Sequence, residues 1–265
     1  MQSIQQLIDI MRALRDPESG CPWDLEQDFQ SLIPFTIEEA YEVADAIERN
    51  DIGDIKSELG DLLFQIIFYC QLADEQQAFD FNDVVQSIND KLTRRHPHVF
   101  ADATVKDSAA QTKEWEKIKQ QERKTKAASS SATLSHLDDV SRTLPSLMRA
   151  EKLQKRAAKE GFDWPNIKGV MAKVIEELDE VQQELDAKKI EQDKLENEIG
   201  DLFFSCINLS RHAGVDAEQS LRKANLKFER RFRSLEKLAE EKNKQINDMT
   251  ADELESLWQE VKKHE

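Results

Sequence analysis

The chain has 265 residues, enough for one large domain or two ordinary ones, with 37 Lys and Arg against 53 Asp and Glu and a formal net charge of −16. A charge that negative argues against nucleic acid or an anionic membrane as partner, and 7 Gly and 6 Pro beside 34% charged and 39% hydrophobic residues describe an all-helical protein with a packed core. The three cysteines, Cys21, Cys70 and Cys206, form no C-x-x-C pair, so the reading is free thiols in a reducing cytoplasm, with no thiolate zinc site and no disulfide framework.

Ile4 to Leu14 carries apolar residues at helical spacing, and Asp9 within this amphipathic stretch argues against a signal peptide. A second helix is expected from Pro34 and Thr36, where Thr36-x-x-Glu39 fits a capping box. It contains Glu38, Glu39 and Glu42 and is broken by Asp51-Ile-Gly-Asp. A third helix, from about Ile55 to Leu72, carries Glu58 and Asp61 and the apolar stripe Leu59, Leu62, Leu63, Ile66. The apolar run Leu62 to Ala73 contains Gln65 and Gln71 and is too short to span a bilayer, so it reads as a core helix. A fourth helix, from about Phe81 to Arg95, carries Lys91 and stops at His96-Pro97. His96 and His98 flank that proline and read as cap or surface residues rather than ligands.

A stretch of small polar residues, Lys126 to Thr133, then reads as a flexible linker. The expected organisation is a domain over 1–125, a linker over 126–136 and a second domain over 137–265. The second half repeats the landmarks of the first in order. Met148-Arg149-Ala150 echoes Met11-Arg12-Ala13, and Trp164 echoes Trp23. Glu176-Glu177-x-x-Glu180 echoes Glu38-Glu39-x-x-Glu42, and Glu198-x-x-Asp201 echoes Glu58-x-x-Asp61. Lys227-x-x-Arg230-Arg231 echoes Lys91-x-x-Arg94-Arg95, and Trp258 echoes Trp115. Landmarks in the same order mean two homologous helical modules. In the second, the basic helix meets no proline and runs on towards Glu241.

The acids carry the chemistry. Residues three and four apart share a helix face, so Glu39 projects with Glu42, and Glu58 with Asp61. Opposed on antiparallel helices, such rows repel unless a cation neutralises them, and ligands with oxygen only suit Mg²⁺ or Mn²⁺. None of the ten acids has Lys or Arg four residues ahead, as an ordinary surface pair prefers. Gly60 and Gly200 sit mid-helix just before the Asp, which suggests close approach of a helix or a ligand. Lys227 and Arg231 share a face suited to triphosphate oxygens, or form a solvated basic face. Lys194, one turn before Glu198, is a further phosphate candidate, and Lys173, one turn before Glu177, a weaker one. Trp258 either stacks on a base or packs the core. No Gly-rich phosphate loop, nucleophile elbow or Cys/His pair is present, so the chemistry has to be metal-assisted.

At these residues the chain resembles the MazG family of nucleoside triphosphate pyrophosphohydrolases, whose hallmark is E-E-x-x-E followed by E-x-x-D. Both copies are intact, and the resemblance covers nearly the whole chain. It implies tandem four-helix-bundle modules that form a homodimer, Mg²⁺ between the acidic helices, and hydrolysis of NTPs and dNTPs to monophosphate and pyrophosphate. It implies Glu177, Glu180, Glu198 and Asp201 as metal ligands of the second half, with Glu176 supporting or activating water. It also implies Lys194, Lys227 and Arg231 as phosphate contacts and Trp258 as a base or pocket residue. The matching first-half residues are Glu39, Glu42, Glu58 and Asp61, with Lys91 and Arg95. There Asp54 stands where Lys194 does, and Pro97 cuts the basic helix short, so the C-terminal half is expected to be the main active site. The alternative is a nucleotide-binding or regulatory helical dimer module without turnover, above all in the N-terminal half; a purely structural dimerisation bundle is a third reading.

Overall fold

The computed structural model describes residues 2–101, 106–107, 110–111, 114–115, 117–118, 121–122, 135–138 and 140–264, and among these every regular element is helical. The expected linker lies outside the described residues except at Ser135 and His136. The chain divides into two compact units, Met1–Ser129 and Ser130–Glu265.

In the first unit, α1 (Gln2–Leu14), α2 (Pro22–Glu26), α3 (Ile33–Arg49), α4 (Ile52–Glu75), α5 (Phe81–Arg95) and α6 (Pro97–Phe100) follow in order. The α3–α4 hairpin is the centre of the unit. Its two-residue turn is made by Asn50, whose left-handed φ of 56° ends α3, and by Asp51, whose carboxylate accepts from the amides of Gly53 and Asp54. That cap lets α4 begin at Ile52, ahead of the expected Ile55. Thr36 is not the cap of α3. Proline fits only the first turn, so the helix starts at Ile33, just before Pro34. Thr36 then lies inside the helix, its hydroxyl 3.1 Å from Leu32 O and 2.9 Å from Tyr69 OH.

The core gathers Met11, Leu32, Ile67, Phe68 and Leu72, with α1 packed on α4. The buried face of α4 is one step round from the stripe expected from the sequence. Leu59 and Ile66 are exposed, whereas Gln65, Ile67, Phe68 and Leu72 are buried. An apolar helix offers several faces with the same period, and contact with α1 selects one. Arg15 closes this end of the unit, pairing with both carboxylate oxygens of Glu75 at 2.7 and 2.6 Å. As expected, α5 ends at His96. An Asp80/Asp83 capping box starts it.

The second unit contains α7 (Ser146–Lys159), α8 (Ile167–Leu185), α9 (Gln192–His212), α10 (Ala217–Glu241) and α11 (Ala251–Lys263), with a 3₁₀ turn at Ile246–Asp248. Its hairpin is α8–α9; α7 packs against α9 and α10, and α11 against α10. Asn166 caps α8 by accepting from the amide of Lys168 at 3.0 Å. Gly169 is required in the first turn, since a Cβ there would sit 2.8 Å from the Trp164 ring. The glycine thus seats Trp164 against the start of the acidic helix.

Candidate metal and nucleotide site

Each hairpin brings its acids together. In the second unit, carboxylate oxygens of Glu177 and Glu180 on α8 and of Glu198 on α9 lie within 4.8 Å of one another. In the first unit, Glu39 on α3 and Glu58 and Asp61 on α4 do the same. The expected fourth acid stands outside each trio. Asp201 is exposed on α9, and Glu42 hydrogen-bonds Glu58. Glu177 is the most enclosed of the set, its side chain 6% exposed.

Crowding shows in the proton affinities. Partial burial raises the Glu39 pKa, and the charges of Asp61, Glu42, Glu58 and Glu38 raise it further. Burial likewise leads the upward shift of Glu58, followed by Glu42 and Asp61. A hydrogen bond with Glu177 is the main cause of the raised Glu180 pKa. Oxygen donors that hold protons against their own repulsion are of the kind that suits a hard divalent cation, which would supply the missing positive charge.

The second unit supplies part of that charge itself. Lys173 Nζ lies 2.7 Å from Glu176 and 2.7 Å from Glu177, and the two acids push its pKa up. Lys173, the weaker phosphate candidate of the sequence, is thus an ion-pair partner of two acids, a pairing that a search for cations four residues after each acid does not register. The matching place in the first unit holds Phe35, which packs edge-on against Trp23 at 5.5 Å.

The basic and aromatic candidates are distributed differently. Lys194 is exposed near the start of α9 and pairs with Glu191 at 3.0 Å. Lys227 and Arg231 stand one turn apart on α10 rather than on the acidic hairpin. Trp258 is half-buried and packs on the cluster of Leu235, Ala239, Leu257 and Val261, its ring 5.4 Å from Phe228. In the first unit, Lys91 and Arg95 lie one turn apart on α5, and Arg95 is paired with Glu122 at 2.6 Å. Among the described residues nothing approaches Gly60 or Gly200 closely: a Cβ at either position would meet no atom within 4 Å.

A cavity of about 900 Å³ adjoins the second trio, lined by Lys173, Glu177, Asp201, Trp164, Phe204 and Asn208 among others. Sequence reasoning passed over its polar lining. Asp163 accepts from Arg211 and, at 2.9 Å, from His212 Nε2, and the Arg211 bond is the main reason its pKa lies far below the carboxylate range. Arg211 also donates to Asn208 Oδ1 at 3.0 and 2.7 Å. The one signal in the sequence was Asp163 directly before the repeated tryptophan.

Two helical units, each with an acidic hairpin whose carboxylates lie close enough to hold a metal ion together, define a tandem all-α protein of carboxylate-hairpin type. The model of the MazG nucleotide pyrophosphohydrolase domain matches residues 27–100 and 166–235, the segments that carry both hairpins. The chain belongs to the MazG family. It is 51% identical over 265 residues to the nucleoside triphosphate pyrophosphohydrolase of Escherichia coli K12, covering 100% of this chain and 99% of that one. It is 40% identical over 258 residues to the nucleoside triphosphate pyrophosphohydrolase/pyrophosphatase MazG of Thermotoga maritima, covering 97% and 95%. It is also 40% identical to the Bacillus subtilis protein YabN, over 97% of this chain and 51% of that protein.

Proposed function

We propose that this chain hydrolyses nucleoside triphosphates, both NTPs and dNTPs, to the monophosphate and pyrophosphate. Water adds at the α-phosphorus, and the bond to the oxygen bridging towards the β-phosphorus breaks. The observation that carries the reading is the convergence of three carboxylates from two helices beside a cavity of nucleotide size. The names of the two relatives matched along their full length support it.

Glu177, Glu180, Glu198 and Asp201 would hold Mg²⁺, with Mn²⁺ as a substitute. When bound, such an ion screens triphosphate charge and makes water more acidic. Glu176, exposed on α8, takes the proton from the attacking water. Lys173, already bonded to two of the acids, moves its ammonium to a phosphate oxygen as the substrate arrives. Lys194, Lys227 and Arg231 meet the charge that grows on the leaving pyrophosphate. The C-terminal unit is the main active site. In the first unit Asp54 takes the place of Lys194 and is tied to Arg49 at 2.8 Å, which favours a binding or regulatory role there without turnover.

The protein acts as a homodimer in this reading. Leu59 and Ile66 in one unit and Ile199 and Phe203 in the other are exposed on the hairpins, beside the open space over Gly60 and Gly200. Burial against a second copy would use both features. No helix among the described residues is long and apolar enough to cross a membrane, and the three cysteines are free, which supports the cytoplasm as the site of action.

The test is product analysis in H₂¹⁸O with an NTP and Mg²⁺. The expected products are pyrophosphate and a monophosphate carrying the label. Orthophosphate with nucleoside diphosphate, or label in the pyrophosphate, would overturn the position of attack.

A further inference from the structure

We propose that Arg94 and Arg95 of the first unit form an anion site for a phosphate chain, held closed in this structure by the chain's own Glu122. The site uses neither acid trio, so it goes beyond the hydrolysis proposed above and stands apart from it. The two arginines end α5. Neighbours on a helix point about 100° apart, yet both side chains bend onto one carboxylate. Arg94 donates to Glu122 Oε1 through Nε at 3.0 Å and Nη2 at 2.7 Å. Arg95 donates to Oε2 through Nη2 at 2.6 Å and to Oε1 through Nε at 3.4 Å. A basic pair at a helix C-terminus is already favoured by the helix carbonyls. It needs no acid brought from 27 residues further along, as Glu122 is for Arg95.

A guanidinium fork takes carboxylate and phosphate alike, because both present oxygens in pairs. The charges do not balance for a carboxylate. Two guanidiniums face one negative charge, and Lys91, one turn before Arg95, adds a further cation to the same side of the helix. A phosphate chain with several charges matches that set better than Glu122 does. The site is also within reach of solvent, since the Arg94 side chain is 55% exposed and that of Glu122 25%.

Displacement of Glu122 would be felt beyond the site. Trp115 Nε1 donates to Arg95 O at 2.9 Å, and its ring meets His96 edge-on at 5.2 Å. Trp115 and Glu122 thus tie one stretch of chain to the end of α5, and Glu122 lies four residues before the small polar stretch that starts at Lys126. An anion in the place of Glu122 undoes the charged half of that tie.

Calorimetry on the full-length protein in chelator, where hydrolysis is not engaged, tests this with inorganic triphosphate and with ATP. A tethered carboxylate competes at an effective concentration of roughly millimolar order, so Glu122→Gln should bind triphosphate about tenfold or more tighter than the wild type. Adding Arg94→Gln and Arg95→Gln should abolish that gain. Equal affinity in the wild type and Glu122→Gln, or a gain that survives loss of both arginines, overturns the site. Equal gains for triphosphate and ATP support a site for the bare phosphate chain, and a larger gain for ATP supports one for nucleotides. In the wild type, triphosphate should speed hydrogen exchange in the peptide that carries Trp115 and Glu122, compared with chloride at equal ionic strength. Unchanged exchange overturns the displacement, and this measurement decides even if no substitution folds. Every arm omits Mg²⁺, so failure of the anion site and failure of the hydrolysis are read separately.

Discussion

Lys173 Nζ stands 2.7 Å from Oε1 of Glu177, so the most enclosed acid of the second site is held by a cation one turn before it on the same helix. In the proposed reading this lysine does part of what a bound divalent ion would do. Lys173→Met should therefore destabilise the metal-free protein by about 1–3 kcal/mol, the usual cost of leaving a buried charged group unpaired. The stabilisation gained on adding Mg²⁺ should grow in the same variant. Thermal melts with Mg²⁺ and with chelator measure both; unchanged melting in chelator would mean that the pair contributes nothing.

Glu198→Gln should separate stability from activity. One negative charge leaves a group of acids that repel one another, so the metal-free variant should melt at or above the wild-type temperature. Pyrophosphate release should fall at least about 100-fold, as a site loses one of its oxygen ligands. Circular dichroism and a turnover assay check the two halves. Wild-type rates would detach this trio from catalysis.

Acid should act in opposite directions on two parts of the first unit. The raised pKa of Glu39 means that the folded state holds this proton more tightly than the unfolded chain. Its contribution is fully present below the unfolded value near 4.5 and is lost as the pH rises through the higher folded value. Glu122 behaves in reverse. Arg95 and Arg94 lower its pKa to about 2, so its contribution is present above the ordinary carboxylate range and lost as the pH falls towards that value. Without metal, Glu39→Gln should flatten the gain in stability on moving from neutral pH into the carboxylate range. Glu122→Gln should reduce the loss on going below it. Urea titrations across pH measure both slopes.

Asp163→Asn should loosen the polar lining of the cavity. Asp163 holds Arg211 and His212, and it accepts from its neighbour Trp164 N at 2.9 Å. The variant leaves a half-buried guanidinium short of its counter-ion, at an expected cost of about 1–3 kcal/mol. Urea unfolding gives the value. Tryptophan fluorescence should report increased exposure of the Trp164 ring; an unchanged spectrum would mean that the aspartate does not seat it.

The acids were legible in the sequence because everything that unites them is local. Their spacing fixes a shared helix face, and a repeated pattern marks two helices that must meet. Fold class and the end of α5 at His96 follow from equally local signals. The buried face of α4 was not legible, since Leu59 and Phe68 are equally apolar and only packing against α1 tells them apart. The cavity was hidden for the same reason. Gln154, Trp164 and Asn208 come from three places in the chain, and nothing in a linear pattern joins them. Gly60 and Gly200 mark space on their helices, but a helical glycine does not say what fills it.

The two hairpins close differently, and protein engineering can use the difference. Asn50 and Asp51 alone join α3 to α4, while residues 186–191 join α8 to α9. Even so, Glu58 falls six residues after the start of α4 and Glu198 six after the start of α9. One residue spliced into the tight corner would swing the following helix by about 100° and scatter its carboxylates. The longer connection can absorb extra length, which makes it the place to graft a reporter or affinity tag without disturbing the chemistry.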